Sequence, residues 1–557
     1  MTSTAGTGWT TKRPDVTLAS SPAHAFSQSE AAALSPYFTN LDRRVFALQN
    51  LPETVKGALF ARYSRSPKSL RRLFLDEFLG DVAATGAPVA SDAGTARADR
   101  LYQKVFNEYG DDSVAQLGGV HLAVEDASNI LTKVLERGRL MAYLEQSTRY
   151  IPYTDRRGES WRYLVPAELD GLPIRDKYVA AMDAAFETYA RWIDPMRAWF
   201  EARYPKAAGD SDAVYRSAIR AKALDTLRGL LPAATQSNVG IYGTGQAYEA
   251  LLLRMRAHPL IEVRAVAGEI LAELRKIIPA FLTRVDQPDR GGRWTDYLAE
   301  TRARMAEVAA RVDVDARASD APDRQAEVTL ADFDPDGEIK VVAAALYASS
   351  SLPDSQLLEV ARRMTPSERE QVLRAAVGSR SNRRHKPGRA FERTSYRFDI
   401  LTDYGAFRDL QRHRLLTLEW QALSARHGYS QPEALVSAGG DADWRAVMDR
   451  SAELYDALVD AGLPDAAQYA VSMAYRVRFV MDMNAREAMH IIELRTAPQG
   501  HPAYRRVCQQ MHRLIAERAG HRAIAAAMTF ADHSEVELER LQAEKRLEAK
   551  RARQSGI

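Results

Sequence analysis

Apolar residues recur at spacings of three and four along most of the chain, a pattern typical of helices that bury one face. The clearest examples are residues 66–77 and 115–140. A series of such patterns, interrupted by proline and glycine, follows over residues 186–284, and a mainly helical pattern returns over residues 338–534. The sequence therefore predicts a helix-rich protein with two large regions.

Changes in composition divide the 557 residues into five segments. Residues 1–35, rich in Thr, Ser, Ala, Gly and Pro, are predicted to form a flexible N-terminal arm. Residues 36–310 are the predicted first domain and residues 338–534 the predicted second. Between them, residues 311–337 are acidic, contain prolines and have few large apolar side chains, so we predict a linker. Residues 535–557 are predicted to form a charged helical tail.

Charge and cysteine content exclude several classes of function. Seventy-six Lys and Arg against 73 Asp and Glu leave a net charge of +3, so no nucleic-acid partner is predicted. The single cysteine, Cys508, excludes an intramolecular disulfide framework and a cysteine-cluster metal site. No apolar run approaches the roughly 18 residues of a membrane span, and the N-terminus lacks the apolar core of a signal peptide. We therefore expect a cytoplasmic protein without a metal centre or a membrane partner.

The two large regions show a weak internal repeat. An alignment of the segments that end near Arg254 and Arg495 superimposes these two arginines at an offset of 241 residues, and a second pair of arginines ten residues later matches without a gap. An Arg-x-Arg motif also occurs once in each region in the same order, at residues 137–139 and 412–414, with an offset of 275. The conserved order of these landmarks indicates a duplication.

The segment at residues 135–153 concentrates polar groups at a predicted helix end. It contains Glu145, Ser147 and Arg149 within five residues. Guanidinium, hydroxyl and backbone N–H groups together can bind a phosphate. A capped helix with a solvated end fits the same residues, so the pattern alone leaves both interpretations open.

Two further segments contain histidine beside arginine. His413 lies between Arg412 and Arg414, and neighbouring cations disfavour its protonated form, so it could act as a neutral hydrogen-bonding or stacking group. Arg486 and His490 are four residues apart and would share one face of a helix. A structural role for each histidine fits the same pattern.

These motifs resemble the signatures of flavin-dependent thymidylate synthases. Arg-Gly-Arg at residues 137–139, seven further residues, Ser147 and then Thr-Arg-Tyr is similar to the family motif RHR-x7-S followed by RY. Residues 484–495 resemble the family's NxRxxxNFxxLR helix, and residues 226–238 resemble its ARxxLP turn. The resemblance extends over both large regions, and the motifs keep their order within each.

The resemblance implies a helix-rich α+β fold of two fused domains, each with long helices and a small antiparallel sheet. It implies FAD as the cofactor, with NADPH and methylenetetrahydrofolate as co-substrates. The family's flavin contacts fall on Arg412, His413, Arg414, Asn484, Arg486 and His490. Its contacts to the pyrimidine nucleotide fall on Glu145, Ser147, Arg149, Arg228, Arg254 and Arg495. The family uses no side-chain nucleophile, so no catalytic residue is assigned.

The two copies depart from the family at different places, so the resemblance implies composite sites. The first copy lacks family flavin contacts at three glycines, Gly138, Gly243 and Gly245. The second copy lacks family nucleotide contacts at three other places, Ala422, Ser424 and Tyr469. One site would then combine second-copy flavin groups with first-copy nucleotide groups. A homodimer of fused chains would mimic the family's tetramer.

A further family element, His-x-Ser-x-x-Glu, is altered in both copies. The first copy has Asp111 and Gln116 around Ser113, and the second has His385 and Glu392 at a different spacing. Three functions therefore remain open. The first is reductive methylation of dUMP to dTMP at C5. The second is a related flavin reaction on another pyrimidine nucleotide or with another one-carbon product, and the third is flavin or nucleotide binding without catalysis.

Overall fold

The computed structural model describes residues 26–42, 46–63, 68–80, 116–158, 160–312, 326–536, 538 and 540–554. These residues belong to two compact units. The first comprises the described residues up to Val120 together with Gly243–Ala250 and Ile270–Arg290. The second comprises His121–Tyr242, Leu251–Glu269 and the residues from Gly291 onward. The units interleave along the chain, whereas the sequence predicts consecutive domains.

Helices dominate the described residues. In the first half they are α1 Gln28–Leu34, α2 Glu53–Tyr63, α3 Leu70–Glu77, α4 Asn129–Leu135, α5 Ile174–Arg203, α6 Asp212–Leu227, α7 Gly245–Arg256, α8 Ile261–Arg275 and α9 Arg293–Val312. In the second half they are α10 Gly337–Tyr347, α11 Asp354–Arg363, α12 Pro366–Val377, α13 Tyr404–Leu410, α14 Glu433–Ser437, α15 Asp441–Asp460, α16 Pro464–Ala467, α17 Ala485–Arg495, α18 Pro502–Glu517, α19 Arg522–Ala526 and α20 Leu541–Gln554.

The described strands form three small sheets. They are β1 Gly119–Ser128, β2 Met141–Glu145, β3 Arg156–Arg157, β4 Ser160–Trp161, β5 Gln236–Thr244, β6 Val328–Phe333, β7 Ser395–Asp403, β8 Thr417–Trp420 and β9 Arg476–Asn484. One sheet has the order β1-β5-β2 and another the order β6-β7-β9-β8, while β3 and β4 pair as a short ribbon. The β7-β9-β8 part of the second sheet repeats the strand order of the first. The duplication predicted from sequence is therefore visible in the topology.

The residue pattern of β9, an interior strand of the second sheet, explains why residues 476–484 form a strand. Along β9, alternate residues are buried, namely Val477, Phe479, Met481 and Met483. This period of two matches one face of a pleated strand. Antiparallel pairing with β7 runs from Ser395 opposite Asn484 to Asp403 opposite Arg476. The ends of this ladder carry the caps of the two helices that follow.

Equivalent helix caps occur in the two copies. Ser128 accepts a hydrogen bond from the N–H of Leu131 at the start of α4, and Asp403 accepts one from Ala406 at the start of α13. Thr244 caps α7 and Asn484 caps α17 in the same way. Short polar side chains satisfy N–H groups that lack partners within the helix. The caps at Ser128 and Asp403 fix the start of α4 and α13, the short helices that precede the two Arg-x-Arg motifs.

The two copies meet at a junction of reciprocal backbone hydrogen bonds. The N–H of Ala233 binds the carbonyl of Val471 at 2.8 Å, and the N–H of Met473 binds the carbonyl of Leu231 at 2.9 Å. The two bonds are equivalent, because at an offset of 240 residues Ala233 corresponds to Met473 and Leu231 to Val471. The Ala234–Tyr469 and Ala474–Gly229 bonds are equivalent in the same way. Pro232 and Ser472 face each other at the centre. The copies are thus related by a local pseudo-twofold axis.

This junction corrects the predicted alignment of the copies by one residue. At an offset of 240, Arg228 corresponds to Gln468 rather than Tyr469, and the caps show that Thr244 occupies the place of Asn484. The first-copy places of the NxR motif are then Thr244 and Gln246, not Gly243 and Gly245. The offset of 241 holds only from α8 onward. The connection from α17 to α18, residues 496–501, is two residues longer than the connection from α7 to α8, residues 257–260, while α7 is one residue longer than α17. The sequence alignment missed the resulting extra residue of the second copy because it lies in a connection between helices.

The linker range of the sequence contains regular structure. Residues 313–325 lie outside the described residues, but β6 occupies Val328–Phe333 and pairs with β7. Glu327 accepts hydrogen bonds from Arg506 at 2.7 Å. These residues form the edge of the second sheet rather than a connection. Their short apolar alternation, Val328 and Leu330, was the available signal.

The two termini also gain partners. Ser27 and Glu30 form a capping box at α1, inside the segment that we predict as a flexible arm, and residues 1–25 lie outside the described part of the chain. The predicted tail is helical over α20, which packs against α6, and Lys545 pairs with Asp210. In the part of the chain that the structure describes, no helix is both long and apolar enough to cross a membrane. The predicted helix-rich α+β class with small antiparallel sheets is confirmed.

Candidate functional site

The second-copy Arg-His-Arg segment follows α13 and contacts three different parts of the second unit. Arg412 donates a hydrogen bond to Asp409, three residues earlier. His413 is buried against α17. Arg414 donates to the carbonyl of Met141 in β2 of the first copy. A single segment of second-copy residues therefore reaches both copies.

Asp409 lies at the centre of four arginines, Arg149, Arg228, Arg412 and Arg495, which we call the arginine cluster. Besides the contact from Arg412, Arg228 Nη1 lies 3.5 Å from Asp409 Oδ2 and Arg495 Nη1 lies 3.9 Å from Oδ1. Burial alone would raise the pKa of Asp409, but the surrounding guanidinium groups hold it far below its usual value. Asp409 is therefore ionised and organises arginines from both copies.

The first-copy loop closes one side of the arginine cluster. Arg149 donates from Nε to Asp225 at 2.9 Å and from Nη1 to the carbonyl of Gln499 at 3.1 Å. Its own backbone N–H binds Ser147 Oγ at 3.3 Å, so the serine shapes the turn that presents the arginine. A cavity of about 40 Å³ lies here. Its lining includes five of the residues predicted from sequence: Glu145, Ser147, Arg149, Arg228 and Arg412.

The arginine cluster holds donors that the described residues do not satisfy. Arg149 Nη2, Arg228 Nη2 and Arg412 Nε are buried without a hydrogen-bond partner in that part of the chain. A buried unpaired donor costs about 1–3 kcal/mol. Four guanidinium groups against Asp409 and Asp225 also leave about two positive charges uncompensated. The arrangement can therefore bind a dianion such as a phosphate monoester.

His413 is buried between Arg495 and Glu487. Arg495 Nε donates to His413 Nε2 at 2.9 Å, so the ring proton lies on Nδ1, which faces Glu487 Oε1 at 3.6 Å. Burial lowers the pKa of His413 to about 4, and Arg495 contributes to the shift. The structure thus supports the neutral imidazole expected from sequence, with burial as its main cause.

Glu487 connects His413 to His490, whose Nδ1 lies 3.2 Å from Glu487 Oε2. Burial would raise the pKa of Glu487, but its hydrogen bonds to the two histidines lower it to about 2. Among the described residues, these three groups are close enough together to hold a metal ion. A metal on His413 Nδ1 would require the ring proton on Nε2, where it would meet the N–H of Arg495. The geometry therefore favours a hydrogen-bonded chain over a metal site.

The remaining predicted flavin residues have internal partners. Asn484 caps α17 by accepting from the N–H of Glu487 at 2.9 Å. Arg486 donates to the carbonyl of Pro387 at 2.9 Å and to Glu392 at 3.3 Å. Glu392, from the altered His-x-Ser-x-x-Glu element, therefore holds Arg486 in place. The first-copy residues Asp111 and Ser113 of that element lie outside the described residues.

Glu145 takes part in a buried charge network. Arg408 donates to its Oε1 at 2.7 Å, and Lys133 lies 3.3 Å from its Oε2. Burial would raise the pKa of Glu145, but these two cations lower it to about 2. Lys133 also pairs with Glu136 at 2.5 Å. Because Arg408 and Lys133 come from different copies, Glu145 joins the copies beside the cavity.

Arg254 is not brought to the arginine cluster. It lies in a larger cavity of about 690 Å³, with Arg137 and Arg139 of the first-copy Arg-Gly-Arg motif. Burial lowers the pKa of Arg254, and the nearby Arg137 adds to this effect. Of the six predicted nucleotide residues, five lie in or beside the cluster and Arg254 lies elsewhere.

The second-copy loop repeats the first-copy turn after a two-residue insertion. The N–H groups of Gln146 and Gln421 donate equivalent hydrogen bonds to the carbonyls of Asn238 in β5 and Arg478 in β9, respectively. The N–H of Arg426 then binds Ser424 Oγ at 3.4 Å, as Arg149 binds Ser147. Ser424 therefore occupies the loop serine place, and Arg426 the arginine place. The alignment from sequence places Ala422 and Ser424 at these positions instead, because it does not include the insertion.

Sequence reasoning missed the carboxylates that organise this site. Asp409 and Arg412 are three residues apart, a spacing that allows contact along one helical turn, and this was the available signal. Asp225 lies three residues before Arg228, and Glu487 three before His490. Asp225 and Asp409 lie outside the family motifs and Glu487 takes a variable position of one, so the spacing to a partner was their signal in the sequence.

The two large regions match the same family model. The model of the thymidylate synthase complementing protein matches residues 61–280 and again residues 329–519. The chain belongs to this family. It is a tandem duplicated member, which confirms the resemblance found in the sequence.

Two UPF0159 proteins match this chain over nearly their whole length. A UPF0159 protein from Chlamydia muridarum is 38% identical over 530 residues, covering 94% of this chain and 99% of the relative. A UPF0159 protein from Thermoplasma acidophilum is 29% identical, covering 89% of this chain and 99% of the relative. The family name of these relatives states no activity.

More distant similarity covers about a third of this chain. A flavin-dependent thymidylate synthase from Mycobacterium marinum is 29% identical over 181 residues, covering 32% of this chain and 66% of that protein. Among solved structures, the UMP/dUMP methylase PolB from Streptomyces cacaoi bound with 5-Br dUMP shares 21% identity at a TM-score of 0.28. It covers 36% of this chain and 94% of that chain.

Proposed function

We propose that this protein methylates a pyrimidine nucleotide at C5 in an FAD-dependent reductive reaction, converting dUMP to dTMP. Methylenetetrahydrofolate would supply the carbon and NADPH the electrons. Membership of the family and the flavin-dependent thymidylate synthase relatives support this kind of reaction. The observation that carries the proposal is the arginine cluster, in which buried donors of both copies face one small cavity.

The nucleotide phosphate would occupy the arginine cluster. Arg149 and Arg228 each offer an unpaired N–H through Nη2, and the charged oxygens of a phosphate accept such bonds. Ser147 would keep the loop turn that presents Arg149. Asp409 would hold the guanidinium groups in position before the nucleotide arrives, so less ordering is required on binding.

The residues of the second-copy motif fit a flavin beside this position. Arg412 has a buried unpaired Nε, His413 is a neutral imidazole, and a cavity of about 210 Å³ is lined by His413, Arg414, Leu416 and Trp420. FAD bound here would supply the redox chemistry between NADPH and the pyrimidine. Arg412 would contact its polar edge, and the Glu487–His413–Arg495 chain would keep the imidazole in one tautomer.

A flavin- and nucleotide-binding protein without catalysis is the second candidate function. It is favoured by one observation, that Glu392 of the altered family element is paired with Arg486 rather than free. A related reaction on another pyrimidine nucleotide would use the same site. The assay below separates these alternatives.

The decisive assay follows dUMP labelled with deuterium at C5. The FAD-loaded protein should release the label and form dTMP when methylenetetrahydrofolate and NADPH are added. Arg149→Ala should weaken dUMP binding by about 1.5–3 kcal/mol, or roughly 10- to 150-fold, because a charge-assisted contact is lost. Arg426→Ala is the matched control, since it removes the exposed pseudo-equivalent arginine, and it should leave dUMP affinity unchanged.

Each outcome has a distinct meaning. Bound FAD without label release would support the binding protein, and label release without dTMP would indicate a different one-carbon product. Equal dUMP affinity in wild type and Arg149→Ala would contradict the composite nucleotide site.

We also propose that two fused chains associate as a homodimer that mimics the family's tetramer. Cyclic twofold dimers are the commonest oligomers, and two chains would provide four copies. Light scattering should give about 124 kDa, twice the 62.0 kDa of one chain. A fully active species of 62.0 kDa would exclude this assembly.

A further inference from the structure

The cavity of about 690 Å³ around Arg254 occupies the pseudo-equivalent position of the proposed active site. It combines the first-copy motif residues Arg137 and Arg139 with the second-copy loop residues that follow Gln421. Gln468, the counterpart of Arg228, also lines it. Its volume falls within the range of about 300–1,000 Å³ that is typical of small-molecule sites. We call this cavity the basic cleft.

The basic cleft carries excess positive charge without relying on the arginine cluster. Four arginines and a lysine line it, Arg137, Arg139, Arg254, Arg302 and Lys133, against the two carboxylates Glu419 and Asp465, and Lys133 is already paired with Glu136 and Glu145. This balance leaves about two positive charges. Arg137 is paired with Glu419 at 2.7 Å, which leaves the other arginines with one carboxylate between them. A phosphate monoester, with a charge of about −1.5 to −2 at neutral pH, would balance the cleft.

An aromatic surface adjoins these charges. Trp420 lines the basic cleft and is half-buried, with the guanidinium carbon of Arg137 lying 5.0 Å from the centre of its ring. Tyr404 and Leu423 add apolar surface nearby. Arg137 covers this ring, and the centre of the Phe407 ring lies 5.5 Å from the centre of the indole. A planar ligand ring that takes the place of the half-exposed Arg137 side chain can stack on the indole while its phosphate meets the other arginines.

The basic cleft lacks the imidazole of the second-copy motif. At the counterpart of His413 stands Gly138, and a Cβ there would lie 2.6 Å from the hydroxyl oxygen of Tyr143. Tyr143 donates to the carbonyl of Gly138 at 3.0 Å, so its side chain fills the place of a larger residue. The flavin contacts proposed for His413 cannot form here.

We propose that the basic cleft is a second binding site for a phosphate monoester that carries a planar ring, such as a pyrimidine mononucleotide. This site does not rest on the proposed methylation, because its residues and its charge balance are separate from the arginine cluster. Arg254 and Arg302 hold the phosphate, and Trp420 stacks against the ring. One chain therefore binds two nucleotides.

Equilibrium dialysis of the full-length protein with labelled dUMP tests this site. Wild type should bind two dUMP per chain. The double substitution Arg254→Ala and Arg302→Ala should weaken one class of sites at least tenfold, which is a loss of about 1.4 kcal/mol, while FAD content stays the same. Arg304→Ala is the matched control, because Arg304 lies on the same helix and pairs with Glu300 at 2.7 Å. It should leave both sites intact.

The two proposals fail in different ways. If the composite active site is wrong, Arg149→Ala leaves dUMP binding unchanged, and the site that depends on Arg254 and Arg302 still appears. If the basic cleft is not a site, wild type binds a single dUMP that Arg149→Ala alone weakens. Labelled inorganic phosphate, dialysed in parallel, should also bind with a dependence on Arg254 and Arg302. Binding of neither probe to the cleft would overturn the proposal.

Discussion

The arginine cluster and the basic cleft lie at equivalent positions of the two copies, but their charged side chains are arranged differently. In the cluster, Asp409 lies on α13 and gathers arginines from both copies. At the corresponding place on α4 stands Val134, which has no charge. The arginines of the basic cleft consequently remain separate, and Arg137 is largely exposed. A single carboxylate thus distinguishes a compact, preorganised anion site from an open one.

The difference teaches how a duplicated site diverges. The helix caps, the strand order and the junction between the copies are retained, and they keep both positions folded. The differences lie in the side chains that line the sites, such as His413 and Gly138 or Arg228 and Gln468, and in the two-residue insertion of the second-copy loop. Because the backbone is held by groups outside the sites, each site could lose contacts without unfolding the protein.

The largest expected effect comes from removing the carboxylate that separates the two sites. Asp409→Asn should lower the free energy of unfolding by about 3–5 kcal/mol, because it breaks a buried ionic network and leaves its arginines uncompensated. Urea denaturation at pH 7 measures this loss. Val134→Ala, at the equivalent place, should cost about 1 kcal/mol, since only two methyl groups are removed. Equal losses in the two variants would show that Asp409 does not organise the cluster.

A second comparison concerns His413, whose counterpart Gly138 cannot titrate. The pKa of His413 is lowered to about 4 by burial, below the value of about 6.5 in an unfolded chain. As the pH falls, the unfolded state therefore takes up this proton first. The stability that His413 contributes is complete above pH 6.5 and is lost as the pH falls towards 4, by about 3 kcal/mol.

Urea unfolding between pH 7 and pH 4 checks this expectation. His413→Gln should show a shallower loss of stability than wild type over that range, because glutamine does not titrate. His258 also has a pKa of about 4, through burial and nearby arginines, so wild type keeps part of its slope from that residue. Identical slopes for wild type and His413→Gln would contradict the assignment.

The smallest expected difference compares the first arginines of the two motifs. Arg412→Ala should reduce FAD affinity by about 1.5–3 kcal/mol, because it removes a buried, charge-assisted contact. Arg137→Ala should change it by about 1 kcal/mol or less, since Arg137 is exposed and paired with Glu419. Flavin absorbance after gel filtration measures both. A greater loss of FAD from Arg137→Ala would move the flavin to the first copy.

The sequence predicted the fold class and the duplication because these depend on patterns that repeat over long segments. Helical periodicity indicated the long helices, and the order of the arginine motifs indicated two copies. It could not predict the one-residue shift between the copies, because the extra second-copy residue lies in the connection between α17 and α18, which has no periodic pattern. It also could not predict the strand at Val328–Phe333, whose six residues give too short an alternation to stand out in an acidic segment.

The candidate site was predicted in part for a similar reason. Ser147, Arg149, Arg228 and Arg412 belong to motifs, and the structure brings them around one cavity. Asp409 and Glu487 belong to no motif and act through contacts between elements distant in sequence. Arg254 was grouped with them by alignment alone, which carries no information on which of two equivalent cavities a residue lines.

The reciprocal hydrogen bonds at Pro232 and Ser472 have a consequence for how such a protein could evolve. In an association of identical single-copy chains, every substitution appears in all sites at once, so no site can specialise. Here the junction pairs two unlike halves within one chain, at a fixed ratio and a high effective concentration. The covalent linkage therefore always pairs one first copy with one second copy, and a site formed from two copies that lack the same contacts is avoided. At a site shared across the junction, each copy can supply the contacts that the other copy has lost.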